Sequence, residues 1–433
     1  MRRQLLAVSG TAVLLAGLAA CGGNATPRAA QSGDAKALSG TLTIWLMSDA
    51  QTNWPDLVQQ VNDEFGASHP NVTIKLSYQS WSDKVAHLDA AIAQGNAPDV
   101  VELGNTETMK YILNGALAEV SKDDYENSDS WIPALENTCD YNGKLFCVPY
   151  YAGAREGIYN SAMFQQATGS ADFPSTEADL TAALDKLQAA HKDDKAFSAL
   201  YLPGPYWYAA MSYVAAYGGT IARFDSTGNW HGTLEDPRSQ QGIQHFVDLV
   251  KRYNHGDLTV NELHQSDVLG KQHAAVIYGN GWEATSAATA PAGDPALADV
   301  LKPAIFPGPN GKPLPSFIGG SDLAITARTQ SGEAAKEWIK LFTSAKSEAL
   351  LASKNTLPNN LKQLDPLKGK PETAAAANAV PEAWFTPLAP GWAAVEKQNV
   401  LVNMLNAILA GQSVDQATRA ADAQIDKLIN NPA

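Results

Sequence analysis

The 433-residue chain has only three cysteines and no apolar stretch long enough to cross a bilayer as a helix. Its longest apolar run, Leu5 to Ala20, is about 16 residues, short of the roughly 20 that a spanning helix requires. Basic runs are missing too. The 31 Lys and Arg stand against 45 Asp and Glu, a formal net charge of −14. That excludes the electrostatic footprint of a nucleic-acid binder or of a protein docked on anionic lipid by charge. No HExxH, CxxC or phosphate-binding loop occurs, and the eight histidines are scattered without ligand spacing, so neither metal nor cofactor is expected. Gly320-Ser321-Asp322 is not a nucleophile elbow, because Leu323 stands where a second glycine belongs. Gly279-x-Gly281-x-x-Ala284 has the spacing of a dinucleotide fingerprint. Pro291, Gly293 and Pro295 break the segment beyond it, so no helix is expected to open there and present amides to a pyrophosphate. Catalysis has no positive signal.

What is present begins at the N-terminus. Arg2 and Arg3 precede the apolar run, which ends Leu18-Ala19-Ala20 directly before Cys21. Charge, apolar core and small residues in that order make a secretory signal peptide over 1–20. The cysteine just after the cut resembles the bacterial lipobox, in which the thiol is acylated and anchors the mature chain to the outer face of the membrane. Residues 21–40 are small, polar and free of aromatics, and read as a flexible tether. Loss of the signal peptide leaves 29 basic against 45 acidic side chains, a net of −16. In an oxidising compartment Cys139 and Cys147 read as a disulfide. They flank Asn142-Gly143, a hairpin turn signal. A strict two-residue turn would oppose Cys139 to Phe146, so the bridge is expected with a three-residue turn over Asn142 to Lys144.

The roughly 390 residues beyond the tether exceed one core and call for two domains. Thr41–Met47, Val72–Leu76 and Pro98–Leu103 read as strands. Between them lie a helix opened by Pro55 and one capped by Ser82 and stopped at Gly95. This βαβαβ rhythm implies a parallel, doubly wound sheet. Further helices start at Thr176 and at Asp236-Pro237. Two more close the chain, Val395–Leu409 and one opened by the capping box Ser413-x-x-Gln416. Among ten tryptophans, Trp81, Trp207, Trp282, Trp384 and Trp392 fall in loops or beside Gly and Pro, where an indole can offer its face to a ligand. Sugar rings pack C–H faces on indole, while their hydroxyls require acids, amides or Arg at the ring edge.

Four segments carry a resemblance: Leu42-Thr43-Ile44-Trp45-Leu46-Met47-Ser48-Asp49, Pro98 through Thr106, Gly143 through Tyr151 followed by Ile158-Tyr159-Asn160, and Ala274 through Trp282. In this order and spacing, from about Gly40 to the C-terminus, they resemble the family 1 extracellular solute-binding proteins, the carbohydrate-capturing lipoproteins of ABC importers. Glu102-Leu103-Gly104-Asn105-Thr106 with Tyr151-Ala152-Gly153-Ala154-Arg155 is similar to actinobacterial importers of di- and oligosaccharides, among them N,N′-diacetylchitobiose, cellobiose-type and α-glucoside binders. The Gly-Asn-Thr loop departs from the His-Asp-Arg-like version of enterobacterial-type maltose binders.

The resemblance implies an α/β, two-lobed periplasmic-binding-protein-like fold with doubly wound sheets, hinge crossings and an interlobe ligand cleft. Residues 41–150 with 319–366 are expected to form lobe 1, and 151–318 with 367–433 lobe 2. Asp49, Glu102, Asn105 and Arg155 are expected to bond sugar hydroxyls, and Tyr151, Trp207, Trp282 and Trp392 to stack on rings. Asn280, Ser321 and Trp384 complete the candidate set. The implied partners are a di- or oligosaccharide and a membrane permease served by a separate ATPase. The protein itself is expected to be a monomer and not an enzyme. Two competing readings are a lipid-anchored glycoside hydrolase, which needs two convergent carboxylates, and a binder of a charged solute such as a polyamine or glycerophosphodiester, for which Arg155 is the opening.

Overall fold

A computed structural model describes residues 38–431 except 261–263, 290–292, 355, 372 and 381–382. The expected signal peptide, Cys21 and nearly all of the tether lie outside the described residues. Thirteen strands follow one another among the described residues. β1 (Gly40–Met47), β2 (Val72–Gln79) and β3 (Val100–Gly104) come first. The short hairpin of β4 (Asp140–Tyr141) and β5 (Lys144–Leu145) leads into the long β6 (Val148–Asn160). Then come β7 (Ser198–Tyr201), the hairpin of β8 (Ala222–Phe224) and β9 (Trp230–Gly232), β10 (Ala274–Asn280), β11 (Leu301–Ala304), β12 (Ile318–Ile325) and β13 (Leu357–Pro358).

The main sheet runs β2-β1-β3-β12-β6-β10-β7, with β11 and β13 also paired to β6. Parallel pairing holds for β1 with β2, β1 with β3 and β10 with β7. β12 and β6 run antiparallel to their neighbours, so the sheet is mixed. β6 decides the architecture. Its first half, Val148 to Ala154, pairs with β12, and its second half, Arg155 to Asn160, with β10 and β11. One strand therefore belongs to two sheet sections. Each section has its own core. Leu42, Ile44, Phe65, Val100, Tyr150, Leu323, Trp338 and Phe342 fill one. Phe164, Leu187, Leu200, Tyr213, Phe246, Val276, Trp392 and Leu405 fill the other.

Local signals explain most helices. Pro55 opens Pro55–Ser68 and buries Leu57, Val61 and Phe65. The Thr176 side chain accepts the Asp179 N–H, and that of Ser413 the Gln416 N–H. Three expectations change. Ser82 makes no cap; the helix starts at Lys84 behind Asp83 and stops at left-handed Gly95 as expected. The anticipated Val395–Leu409 helix is two, Trp392–Lys397 and Val400–Leu409, separated by left-handed Asn399. This break lets Trp392, Val395, Val400 and Leu401 all enter the second core.

The third correction concerns the disulfide, which is present with 5.0 Å between Cα atoms. The hairpin nevertheless uses the two-residue turn, with Tyr141 opposite Lys144 and left-handed Asn142 and Gly143 between them. The Phe146 N–H bonds the Cys139 carbonyl. Cys139 ends the helix Pro133–Cys139 and is not part of the ladder, so strand register does not fix its Cβ direction. The Asp322 carboxylate lies within 4.8 Å of both sulfurs, a spacing that could suit a metal ion, but both sulfurs are held in the bridge. Among the described residues no helix is long and apolar enough to cross a membrane.

Candidate functional site

The carboxyl ends of parallel strands β1, β3, β7 and β10 all turn toward one cavity of about 650 Å³, the place where open α/β sheets bind ligands. Asp49 follows β1, and Asn105 follows β3. Asn280 ends β10, and Trp207 lies just beyond β7. Tyr151 and Arg155 reach the cavity from β6 on either side of the strand's change of partners. Trp282 and Trp392 add indoles from the second half of the chain.

Eight of the eleven candidate residues thus line one cavity, and three do not. Glu102 is 1 % exposed, because β3 is covered on both faces. Its Oε2 accepts the Met47 N–H at 2.7 Å, so the carboxylate ties β1 to β3 from behind the wall. Burial pushes its pKa up to about 7, and the nearby Asp49 adds to the shift. Ser321 is fully buried on β12, behind the wall and beside Glu102 and Tyr151. Trp384 stands one layer out: its indole N–H donates to Ser212 Oγ at 3.0 Å and its ring packs 4.9 Å from that of Phe317.

Of the five tryptophans in loops or beside Gly and Pro, three are helix starts. Trp207, Trp282 and Trp392 are each the first residue of a helix, over Trp207–Ala216, Trp282–Thr289 and Trp392–Lys397. A side chain there is anchored by its helix while its ring projects past the helix end. The helix at Trp282 also corrects the argument from Pro291: a helix does open after Gly279-x-Gly281. Its N-terminal space is taken by Glu283, whose Oε1 accepts the Asn280 N–H at 2.8 Å. A carboxylate occupies the place a pyrophosphate would need.

The aromatic wall has two groups of rings. Trp207 stacks on Tyr208 at 3.8 Å and lies 6.0 Å from Trp392. Trp282 meets the Tyr151 ring edge-on at 6.5 Å. Gly153 makes this possible, since a Cβ there would come within 3.2 Å of both the Trp282 ring and Asn280 Oδ1. The Arg155 guanidinium lies 4.7 Å over Tyr208 and 5.2 Å over Phe317, held as a cation on aromatic faces, with Nε donating to Tyr206 at 3.4 Å.

Opposite it, Asp49 accepts the Trp81 indole N–H, and burial raises the carboxyl's pKa. Lys84 pairs with Glu107 at 2.6 Å and sits 4.2 Å over the Trp81 ring. Thr106 Oγ1 donates to Glu396 Oε2 at 3.0 Å. Removal from water pushes Glu396 up to about 7, with the charge of Glu107 adding to it. The sequence reading missed Lys84, Glu107, Tyr208, Phe317 and Glu396. Charged residues in an acidic chain carry no local mark of facing a cavity, and Tyr208 and Phe317 have no Gly/Pro context. The wall as a whole offers indole faces, amides and carboxylates, with both cations already engaged. That is a surface for a neutral polyhydroxylated ring.

Comparison with known proteins agrees. Residues 60–382 match the family model described as bacterial extracellular solute-binding protein. The chain is 31 % identical over 433 residues to the diacetylchitobiose binding protein DasA of Streptomyces coelicolor, covering 99 % of each chain. Among solved structures, the GacH receptor of Streptomyces glaucescens, known unliganded and with acarbose, superposes with a TM-score of 0.76 at 20 % identity, covering 91 % of this chain and 99 % of that one. A solute-binding protein of Thermotoga lettingae bound with α-D-tagatose gives 0.78 at 20 % identity, covering 90 % and 100 %.

Proposed function

From membership of the bacterial extracellular solute-binding proteins, the family to which this chain belongs, we propose that its cavity captures a di- or oligosaccharide for an ABC importer. The observation that carries this reading is the single cavity in which four indoles, of Trp81, Trp207, Trp282 and Trp392, meet Asp49, Asn105, Arg155 and Asn280. The indoles supply ring faces, and the polar groups supply hydroxyl partners. Lobe 1 is 41–150 with 319–366 and lobe 2 is 151–318 with 367–433, hinged through β6, and sugar favours the closed form by touching both. The loaded protein then docks as a monomer on a membrane permease whose separate ATPase supplies the energy. Acyl chains on Cys21 hold it at the outer face of the membrane, so Cys21→Ala releases it from membrane fractions.

The relatives named above are binding proteins, and the chain binds its sugar without turning it over. N,N′-diacetylchitobiose is the first sugar to try, given the relative at 31 % identity, with cellobiose and maltose beside it. Native mass spectrometry and calorimetry are expected to find one of them bound at micromolar Kd or tighter, about −8 kcal/mol, and recovered intact. Release of monosaccharide would replace the binder by a glycosidase. Binding only of charged solutes, weakening with salt, would replace the sugar.

A further inference from the structure

The cleft has a direct protein–protein tie across it. Thr106 belongs to the turn after β3. That turn is braced on the first sheet section, because the Asn105 N–H bonds the Gly320 carbonyl and Thr108 Oγ1 donates to the buried Asp322 carboxylate at 2.6 Å. Glu396 lies on the helix Trp392–Lys397, whose Trp392 and Val395 are buried in the second core. These two residues, 290 positions apart, meet at 3.0 Å, hydroxyl to carboxylate. Each is built on a separate core, so the bond between them lasts only while the two cores are close.

We propose that Thr106 and Glu396 form a latch across the cleft that favours the closed form of the protein and slows release of its sugar. The Lys84–Glu107 pair stands next to the latch, at 10 % and 13 % side-chain exposure. The charge of Lys84 offsets part of the repulsion between Glu107 and Glu396. A hydrogen bond that accepts at a carboxylate and is half withdrawn from water is stronger than a neutral exposed one. Because the latch joins protein to protein, its effect is the same for every sugar that fits. The inference takes its ligand, though not its geometry, from the sugar-capture reading.

The test uses Thr106→Val, Thr106→Ser, Glu396→Ala and the Thr106→Val/Glu396→Ala double variant, with N,N′-diacetylchitobiose, cellobiose and maltose as probes. Thr106→Val is expected to raise the dissociation rate about fivefold, by the same factor for each sugar bound, with little change in association rate. Thr106→Ser restores the wild-type rate, since the donor hydroxyl returns. The double variant is no worse than Glu396→Ala alone, because both changes break one bond. Scattering from the sugar-free proteins is expected to give a larger radius of gyration for Thr106→Val and Glu396→Ala than for wild type and Thr106→Ser. Effects that add in the double variant, or that differ from sugar to sugar, would make the two residues ligand contacts and overturn the latch. So would an unchanged radius. A wild type that binds none of the sugars but expands on loss of the Thr106 hydroxyl would refute the sugar reading and leave the latch in place.

Discussion

Replacing Trp282 by alanine tests the ring-stacking reading at one of its half-buried supports. One side of this indole is taken, with Gly153 beneath it and the Tyr151 edge at 6.5 Å. The side turned to the cavity is therefore one face. A fully covered indole buries about 150–250 Å², and one face is roughly a third of that, ~60 Å². At about 25 cal/mol per Å² the face contributes about 1.5 kcal/mol, a little over tenfold in Kd. Calorimetry with the cognate sugar reads this directly. Trp282 also packs on the edge of the first core, so the variant needs a circular-dichroism check of its fold. Trp384→Phe serves as the control. Its indole N–H bonds Ser212 away from the wall, and Phe keeps a ring against Phe317 and Trp207, so Kd should stay within about twofold. A folded Trp282→Ala variant with wild-type Kd would show that no ring of the sugar rests on this indole, and the stacking argument would fail.

Gly320→Ala should destabilise by more than about 3 kcal/mol or abolish folding, since φ is +147° and a Cβ would stand 2.1 Å from the Tyr151 carbonyl oxygen; a melting temperature within a few degrees of wild type would refute this. Loss of the Cys139–Cys147 bridge in a double alanine variant removes a closure spanning eight residues, worth about 2–3 kcal/mol in the unfolded chain. Urea unfolding that differs by less than about 0.5 kcal/mol would contradict that account. Stability is expected to fall as pH rises from 5.5 to 8. Burial raises Asp322 from 3.8 to about 7, as it does Glu102 to about 7 and Glu156 to about 8, so the fold prefers each neutral form. Their contribution is complete below the unfolded values and is lost as pH climbs through the folded ones. Carboxylates held low, such as Asp225 at about 2, are ionised in both states over this window and add no slope. Asp322→Asn should flatten the melting temperature against pH, and an unchanged slope would remove Asp322 from the explanation.

Much of the architecture is written in short-range pattern. Apolar alternation in Val72, Ile74 and Leu76 marks the half-exposed edge strand β2, and Val100, Val101 and Leu103 before Gly104 mark the covered β3. Pro55, Thr176, Gly95 and Ser413 set helix ends through φ, a side-chain acceptor or a left-handed stop. These are properties of a few neighbouring residues, so the chain alone determines them. The ends of β1, β3 and β10 likewise place Asp49, Asn105 and Asn280 at the cleft, because a ligand cleft forms off the carboxyl ends of parallel strands. The same rule, applied to depth, is what the sequence could not supply for Glu102. Two positions before the end of β3, its side chain is enclosed between layers.

Everything that depends on two distant segments meeting was decided by tertiary structure. β6 changes partners between Ala154 and Arg155 because β12 and β10, over 100 residues downstream, return to opposite halves of it. The indole of Trp207 gains its stacking surface from Tyr208 and Phe317, and its neighbour Trp392 from a helix near the C-terminus. Lys84, Glu107 and Glu396 look like any of the 76 charged Lys, Arg, Asp and Glu side chains in the chain until folding carries them to one wall. Periodicity records which side of an element is apolar. It holds nothing about which other element will cover that side, and a binding cleft is made of the places where that covering stops.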